Sequence, residues 1–313
     1  MSVENAPKSR VRLYGSAPQI ASPLALVLAT VVMYFVARMP NDHLLSWGWR
    51  VPFLAGFVLV LIGLIIRLGV SESNEFAEVK ETGTISSPIL TVLRRMPGRV
   101  AAGIGLQASV IVLFYLITTY MLTMATDMHG YTKSDTLIIL LTAAVVDLFA
   151  MVGVGLLCDR ISAWKVFTVG AVFTALFAYP LFALFDTGNM ALMIIAFTVA
   201  LVLGHATTYA VVSSLTAELF PTEVRYSGVA LCSAFSGVLW AAPTPLVAAA
   251  LVPTDGSRHW WPLVVIIVVA AGISLVSTLA ARSGPPSVGP GEPGEPGTKS
   301  METSAERMTT APA

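Results

Sequence analysis

Two ionisable side chains stand inside long apolar stretches of this 313-residue chain: Asp147 within TAAVVDLFAM and His205 within VLGHATTYAVVSS. An ionisable group at the centre of a hydrocarbon layer costs at least about 2.5–3.5 kcal/mol on insertion scales, so each is a functional candidate. A carboxylate at Asp147 can bind a coupling proton, pair with a cationic substrate, or join two helices by hydrogen bonds. An imidazole at His205 can relay protons, because histidine titrates near neutral pH, or it can bond to a neighbouring helix. Thr208, Tyr209 and Ser213 follow on the same helical face. Farther upstream, Gln107, Tyr115 and Thr118 fall within an arc of about 80° at about 3.6 residues per turn. Such stripes serve a substrate or glue helices together. Pro243 and Pro245 interrupt another apolar run, where freed carbonyls mark either a hinge or a static kink.

Only membrane-spanning helices can hold such residues in these settings. Hydrophobic residues make up 56% of the chain and charged ones 12%, against about 45–50% and about 25% in a soluble domain. One globular core cannot hide that surplus, so the chain is read as an all-α membrane protein. A bilayer core about 30 Å thick needs about 20 consecutive apolar residues in a helix. Eight runs meet that requirement, approximately 17–37, 49–69, 100–123, 135–157, 166–185, 190–214, 226–251 and 261–280. The organisation expected is a polar segment over 1–16 without the apolar core of a signal peptide, two helices within 17–70, a polar loop over 71–99, six helices within 100–281, and a disordered Pro/Gly/Ser/Thr-rich tail over 282–313.

Lys plus Arg (18) equals Asp plus Glu (18), so no net field draws nucleic acid, and that class of partner is excluded. With eight spans, fourteen basic residues fall on the side of the termini, leaving Arg38, Arg50, Lys133 and Arg258 on the other. That bias places both termini in the cytoplasm. Cys158 and Cys232 lie far apart without metal-ligand spacing, so neither a disulfide framework, a metal site nor a cofactor is expected. G-x-S-x-G, H-E-x-x-H and P-loop motifs are absent, which argues against an enzyme or an ATP-driven pump.

Several stretches between and beside the runs carry more information. GLLCDRISAWK (Gly155–Lys165) combines a small residue that lets helices approach with an Asp–Arg pair at a tight turn. SWGWRVPF (Ser46–Phe53), AELFPTEVRYSG (Ala217–Gly228) and RLYGSAPQIASP (Arg12–Pro23) flank other runs. Together they resemble the major facilitator superfamily, specifically its metabolite:proton symporter branch of proline/betaine, shikimate, citrate and 2-oxoglutarate permeases. That family's gate element is similar here at Gly155, Asp159, Arg160 and Lys165, with Ser162 and Ala163 replacing a Gly and an Arg. Its E-L-F-P-T-x-V-R-Y-x-G element matches throughout, including Glu218, Pro221, Arg225 and Gly228. Glu72, Ser73 and Phe76 resemble the ending after helix six, with Asn74 in place of a Pro, and Trp240 to Leu246 resembles the broken eleventh helix.

The resemblance implies a partial twelve-helix fold. The first two runs correspond to helices five and six, the other six to helices seven through twelve, and 71–99 to the central cytoplasmic loop; the first four helices are expected to be missing. It also implies proton-coupled symport of a small organic metabolite by alternating access in the cell membrane, with Gln107, Tyr115 and His205 as cavity contacts and Asp147 as a proton or substrate group. The alternative is a truncated or inactive fragment that does not transport alone. Its polar faces would favour self-association or a separately made N-terminal half.

Overall fold

The computed structural model describes residues 11–68, 88–252 and 260–283. Its helices are α1 (Val11–Ala37), α2 (Asn41–Ser46), α3 (Gly48–Ile66), α4 (Pro88–Arg95), α5 (Pro97–His129), α6 (Lys133–Cys158), α7 (Ala163–Asp186), α8 (Met190–Glu218), α9 (Arg225–Leu251) and α10 (Trp261–Arg282). No strand occurs among the described residues. Seven helices, α3 and α5 to α10, are long and apolar enough to cross a membrane, and the remaining expected run is the apolar part of α1, Ala21–Ala37. The expectations placed on residues 1–10, 69–87, 253–259 and 284–313, including Glu72, Ser73 and Phe76, lie outside the described residues.

The stretch expected as loop over 71–99 is in part helical. Pro88–Arg95 forms α4, and Pro97 opens α5 at its first turn, where a missing N–H removes no helical bond. Eight residues are too few to register as a span, yet α4 buries Val92 while Arg94 and Arg95 stay exposed.

Local chemistry sets the helix ends. Thr132 caps α6 by accepting from the Asp135 N–H, while the Asp135 carboxylate accepts from the Thr132 N–H at 3.0 Å. The Asn189 side chain accepts from the Ala191 and Leu192 N–H groups to start α8. Before it, Gly188 takes φ of 66°, a left-handed turn that lets its carbonyl accept from the Tyr131 hydroxyl at 2.7 Å.

Helices α5 to α10 form one bundle. In it α5 contacts α8, α9 and α10, α7 packs on α8 and α10, and α1 lies along α6 and reaches α8. The core has two apolar clusters. One gathers Leu116, Met121, Phe182, Phe185 and Phe197; the other gathers Leu106, Met151, Phe167, Leu215 and Phe220. Along α6 and α8 the clusters meet between Ala143 and Met151 and between Leu201 and Ala206. Asp147 and His205 occupy those junctions, about halfway along their helices. By contrast, α3 keeps its apolar flanks open, with Phe53 71% and Ile65 70% exposed.

Candidate functional site

Asp147 and His205, 58 residues apart in sequence, meet across the α6–α8 contact. The imidazole Nδ1 lies 3.1 Å from Oδ2 and 3.3 Å from Oδ1 of Asp147. Asp147 is 0% exposed and His205 3%, so the pair is withdrawn from bulk solvent. Phe114 and Tyr209 both stack on the imidazole with ring centres 5.0 Å away, at interplanar angles of 28° and 16°. Those contacts hold the ring in place and give the pair an apolar jacket, in which charge–charge attraction is stronger than in water.

His205 also lines a cavity of about 310 Å³. Its wall includes Gln107 and Tyr115 from α5, Tyr209 and Ser213 from α8, Ser233 from α9 and Ser22 from α1, while Asp147 sits behind the imidazole and outside the wall. The structure thus brings together Gln107, Tyr115, His205, Tyr209 and Ser213, as the two polar stripes anticipated. Thr118 and Thr208 depart from them. The Thr118 hydroxyl donates to the Phe114 carbonyl at 2.8 Å and the Thr208 hydroxyl to the Gly204 carbonyl at 2.6 Å, and neither lines the cavity.

The departure at Thr118 has a backbone cause. Three helices carry a π turn beside the cavity: Leu116–Tyr120 in α5, Ala200–Ala206 in α8 and Gly237–Ala241 in α9. Each widens the turn, so residues beyond it rotate off the face that an α-helical period assigns them. The same device accommodates the prolines at Pro243 and Pro245. There α9 stays helical because the Ala242 N–H reaches the Gly237 carbonyl at 3.0 Å, and the Thr244 hydroxyl takes the Trp240 carbonyl. The Trp240 indole donates to the Ile104 carbonyl at 3.0 Å and ties this turn to α5.

At one end of the bundle the sequence motifs form a brace. Gly155 is buried on α6, Asp159 ends that helix, and Asp159, Arg160 and Lys165 are exposed around the turn. Trp164 donates its indole N–H to Glu218 at 2.8 Å, joining that turn to the end of α8. Arg99 donates to the Leu219 carbonyl at 3.0 Å and Arg225 to the Phe220 carbonyl at 3.4 Å. The Val224 N–H reaches the Pro221 carbonyl, and Phe220 folds back, fully buried, onto Gly228. A Cβ at Gly228 would lie 2.5 Å from the Phe220 ring. Gly228→Ala is therefore expected to cost about 1–3 kcal/mol by overpacking. The check is equilibrium unfolding in mixed micelles, with partial recovery in the Gly228→Ala/Phe220→Leu double variant; an unchanged midpoint for the single variant would contradict this packing.

Phe114, Ser233 and Ser22 are the site residues that sequence reasoning passed over. An aromatic in an apolar run and isolated serines carry no signal of their own. Cys158 and Cys232 are both buried and share no disulfide, and no group of metal-ligating side chains occurs among the described residues.

The chain is 28% identical to the shikimate transporter of Escherichia coli (strain K12) over 287 residues, covering 90% of this chain and 65% of that protein. It is 32% identical to an inner membrane metabolite transport protein of the same organism, covering 89% of this chain and 64% of that one. A glycine betaine/proline/ectoine/pipecolic acid transporter of Dickeya dadantii (strain 3937) is 29% identical, over 88% of this chain and 56% of the relative. The chain thus spans less than two thirds of the length of these relatives. Residues 1–242 match the family model of the Major Facilitator Superfamily. The long apolar helices agree with that match: the chain is an integral membrane protein and belongs to the Major Facilitator Superfamily.

Proposed function

We propose that this chain acts in proton-coupled symport of a small organic metabolite, a carboxylate or a betaine-like zwitterion, across the cell membrane by alternating access. One observation carries the reading: a histidine–aspartate pair buried midway along the bundle, with only the imidazole on the cavity wall. A proton entering from the cavity meets His205 first. Asp147, shielded behind it, serves as the counter-charge that makes a protonated ring tolerable in a dry interior. The transported proton is assigned to His205 and not to Asp147. Gln107 and Tyr115 are substrate contacts on the same wall, and the relatives named for shikimate and for betaines support a small polar cargo.

In this reading the brace around Glu218, Pro221, Arg225 and Gly228 and the turn at Asp159 and Arg160 form the cytoplasmic gate. Arg94, Arg95, Arg99, Arg160, Lys165 and Arg225 gather at that end, which the positive-inside rule assigns to the cytoplasm.

The test is uptake into proteoliposomes holding the chain and an internal pH dye, with labelled shikimate or glycine betaine outside. An inward proton gradient is expected to drive accumulation of at least one of them, with matching acidification inside. Equal entry with and without the gradient, or no entry of either compound, overturns the reading.

A further inference from the structure

We infer that the proton and the carboxylate of the cargo meet at a single atom of this wall, Nε2 of His205, so that the wall holds the carboxylate only once the proton has arrived. The inference rests on the reading of His205 as the proton carrier. Both Asp147 oxygens lie within 3.3 Å of Nδ1. An ionised carboxylate accepts hydrogen bonds and cannot donate them, so Nδ1 keeps its hydrogen whether the ring is neutral or charged. The variable proton is therefore the one on Nε2. In the neutral ring Nε2 is a lone-pair acceptor, which repels a carboxylate oxygen. In the imidazolium it is an N–H donor bearing charge, which binds one strongly. Taking up a proton converts the site from one that refuses an anion to one that holds it.

The surroundings leave a carboxylate no other charged partner on this wall. The titratable groups facing His205 are Asp147 from α6 and the phenols of Tyr115 from α5 and Tyr209 from α8. Helices α1 and α9 bring Ser22 and Ser233 to the cavity, and α7 packs Thr174 against Gly204, next to the histidine. Among the described residues lining the cavity, His205 is the one side chain able to carry positive charge at neutral pH. A cationic headgroup meets aromatic faces on this wall but no negative charge. Asp147 is fully buried, and the ring that covers it is stacked against Phe114 and Tyr209. Where the empty ring is neutral, linkage of one proton to one carboxylate lowers affinity about tenfold for each unit rise in pH.

The experiment follows the imidazole directly. The chain, with ¹⁵N-labelled histidine, is placed in nanodiscs, and the His205 signals are assigned by their loss in His205→Gln. Shikimate and glycine betaine supply a carboxylate; choline and the methyl ester of shikimate do not. At a pH where Nε2 is unprotonated, at least one of the first two is expected to move its resonance into the protonated range, and neither of the others. In His205→Gln, whose amide donates at every pH, carboxylate affinity is expected to lose its tenfold-per-unit dependence. Protonation of Nε2 by choline or the ester, or by none of the four compounds, overturns the inference. If proton-driven uptake is nonetheless lost in His205→Gln, His205 remains the proton carrier and only the carboxylate assignment falls. Proton-driven uptake undiminished in His205→Gln removes the reading beneath it as well.

Discussion

Replacing His205 with Ala is expected to destabilise the fold by about 3–5 kcal/mol, more than the reciprocal change Asp147→Ala. The asymmetry comes from what each change leaves behind. Without the imidazole, a carboxylate that is 0% exposed has lost both the Nδ1–H that bonds it in every state of the ring and the counter-charge of the imidazolium, and the apolar interior replaces neither. The two aromatic rings that stack on His205 also lose their partner. Without the carboxylate, the imidazole can remain neutral at no great electrostatic cost, so Asp147→Ala should lose about 1–3 kcal/mol, mainly a hydrogen bond and packing. Equilibrium unfolding in mixed micelles measures both. A larger loss for Asp147→Ala, at any pH, would mean that the buried charge does not reside where the geometry places it.

The largest functional effect should come from His205→Gln, a substitution that keeps a side chain of similar reach. Each pH unit of gradient is worth about 1.4 kcal/mol per proton, so two units can drive about 100-fold accumulation of a cargo that moves with one proton. Gln carries no titratable proton. Accumulation is expected to collapse about 100-fold, to the level outside, while exchange of labelled for unlabelled cargo continues. Asp147→Asn should fall between the two, because the ring remains on the wall while its Nδ1 partner is an amide in place of a carboxylate. Retained accumulation in His205→Gln would transfer the proton to another group.

Much of this arrangement could be read from residue patterns, and the limits have identifiable causes. Long apolar runs mark the helices because hydrocarbon demands satisfied backbone bonds, and that requirement is local in sequence. Asp147 and His205 stand out individually for the same reason. Their pairing could not be read, because periodicity reports the face a residue occupies and not which helix lies opposite. Thr118 was misplaced with Gln107 and Tyr115 because nothing in LITTY signals a π turn. Pro243 and Pro245 do mark an irregularity, but the relief lies in the turn before them. α4 escaped notice because eight residues span too little to be read as a membrane helix.

The π turns beside the cavity have a consequence for how such a wall can evolve. A π turn holds one residue more than the α-helical turn it replaces. Deleting a single residue from Leu116–Tyr120 would let the turn close to α-helical geometry, removing one position from the wall while the side chains on either side keep the faces they have. Relatives with another cargo can therefore differ from this chain by one-residue gaps at the level of the cavity. A comparison that scores only substitutions would overlook them. In these three helices, a change in residue number can be absorbed at the wall itself, without re-aiming the rest of the helix.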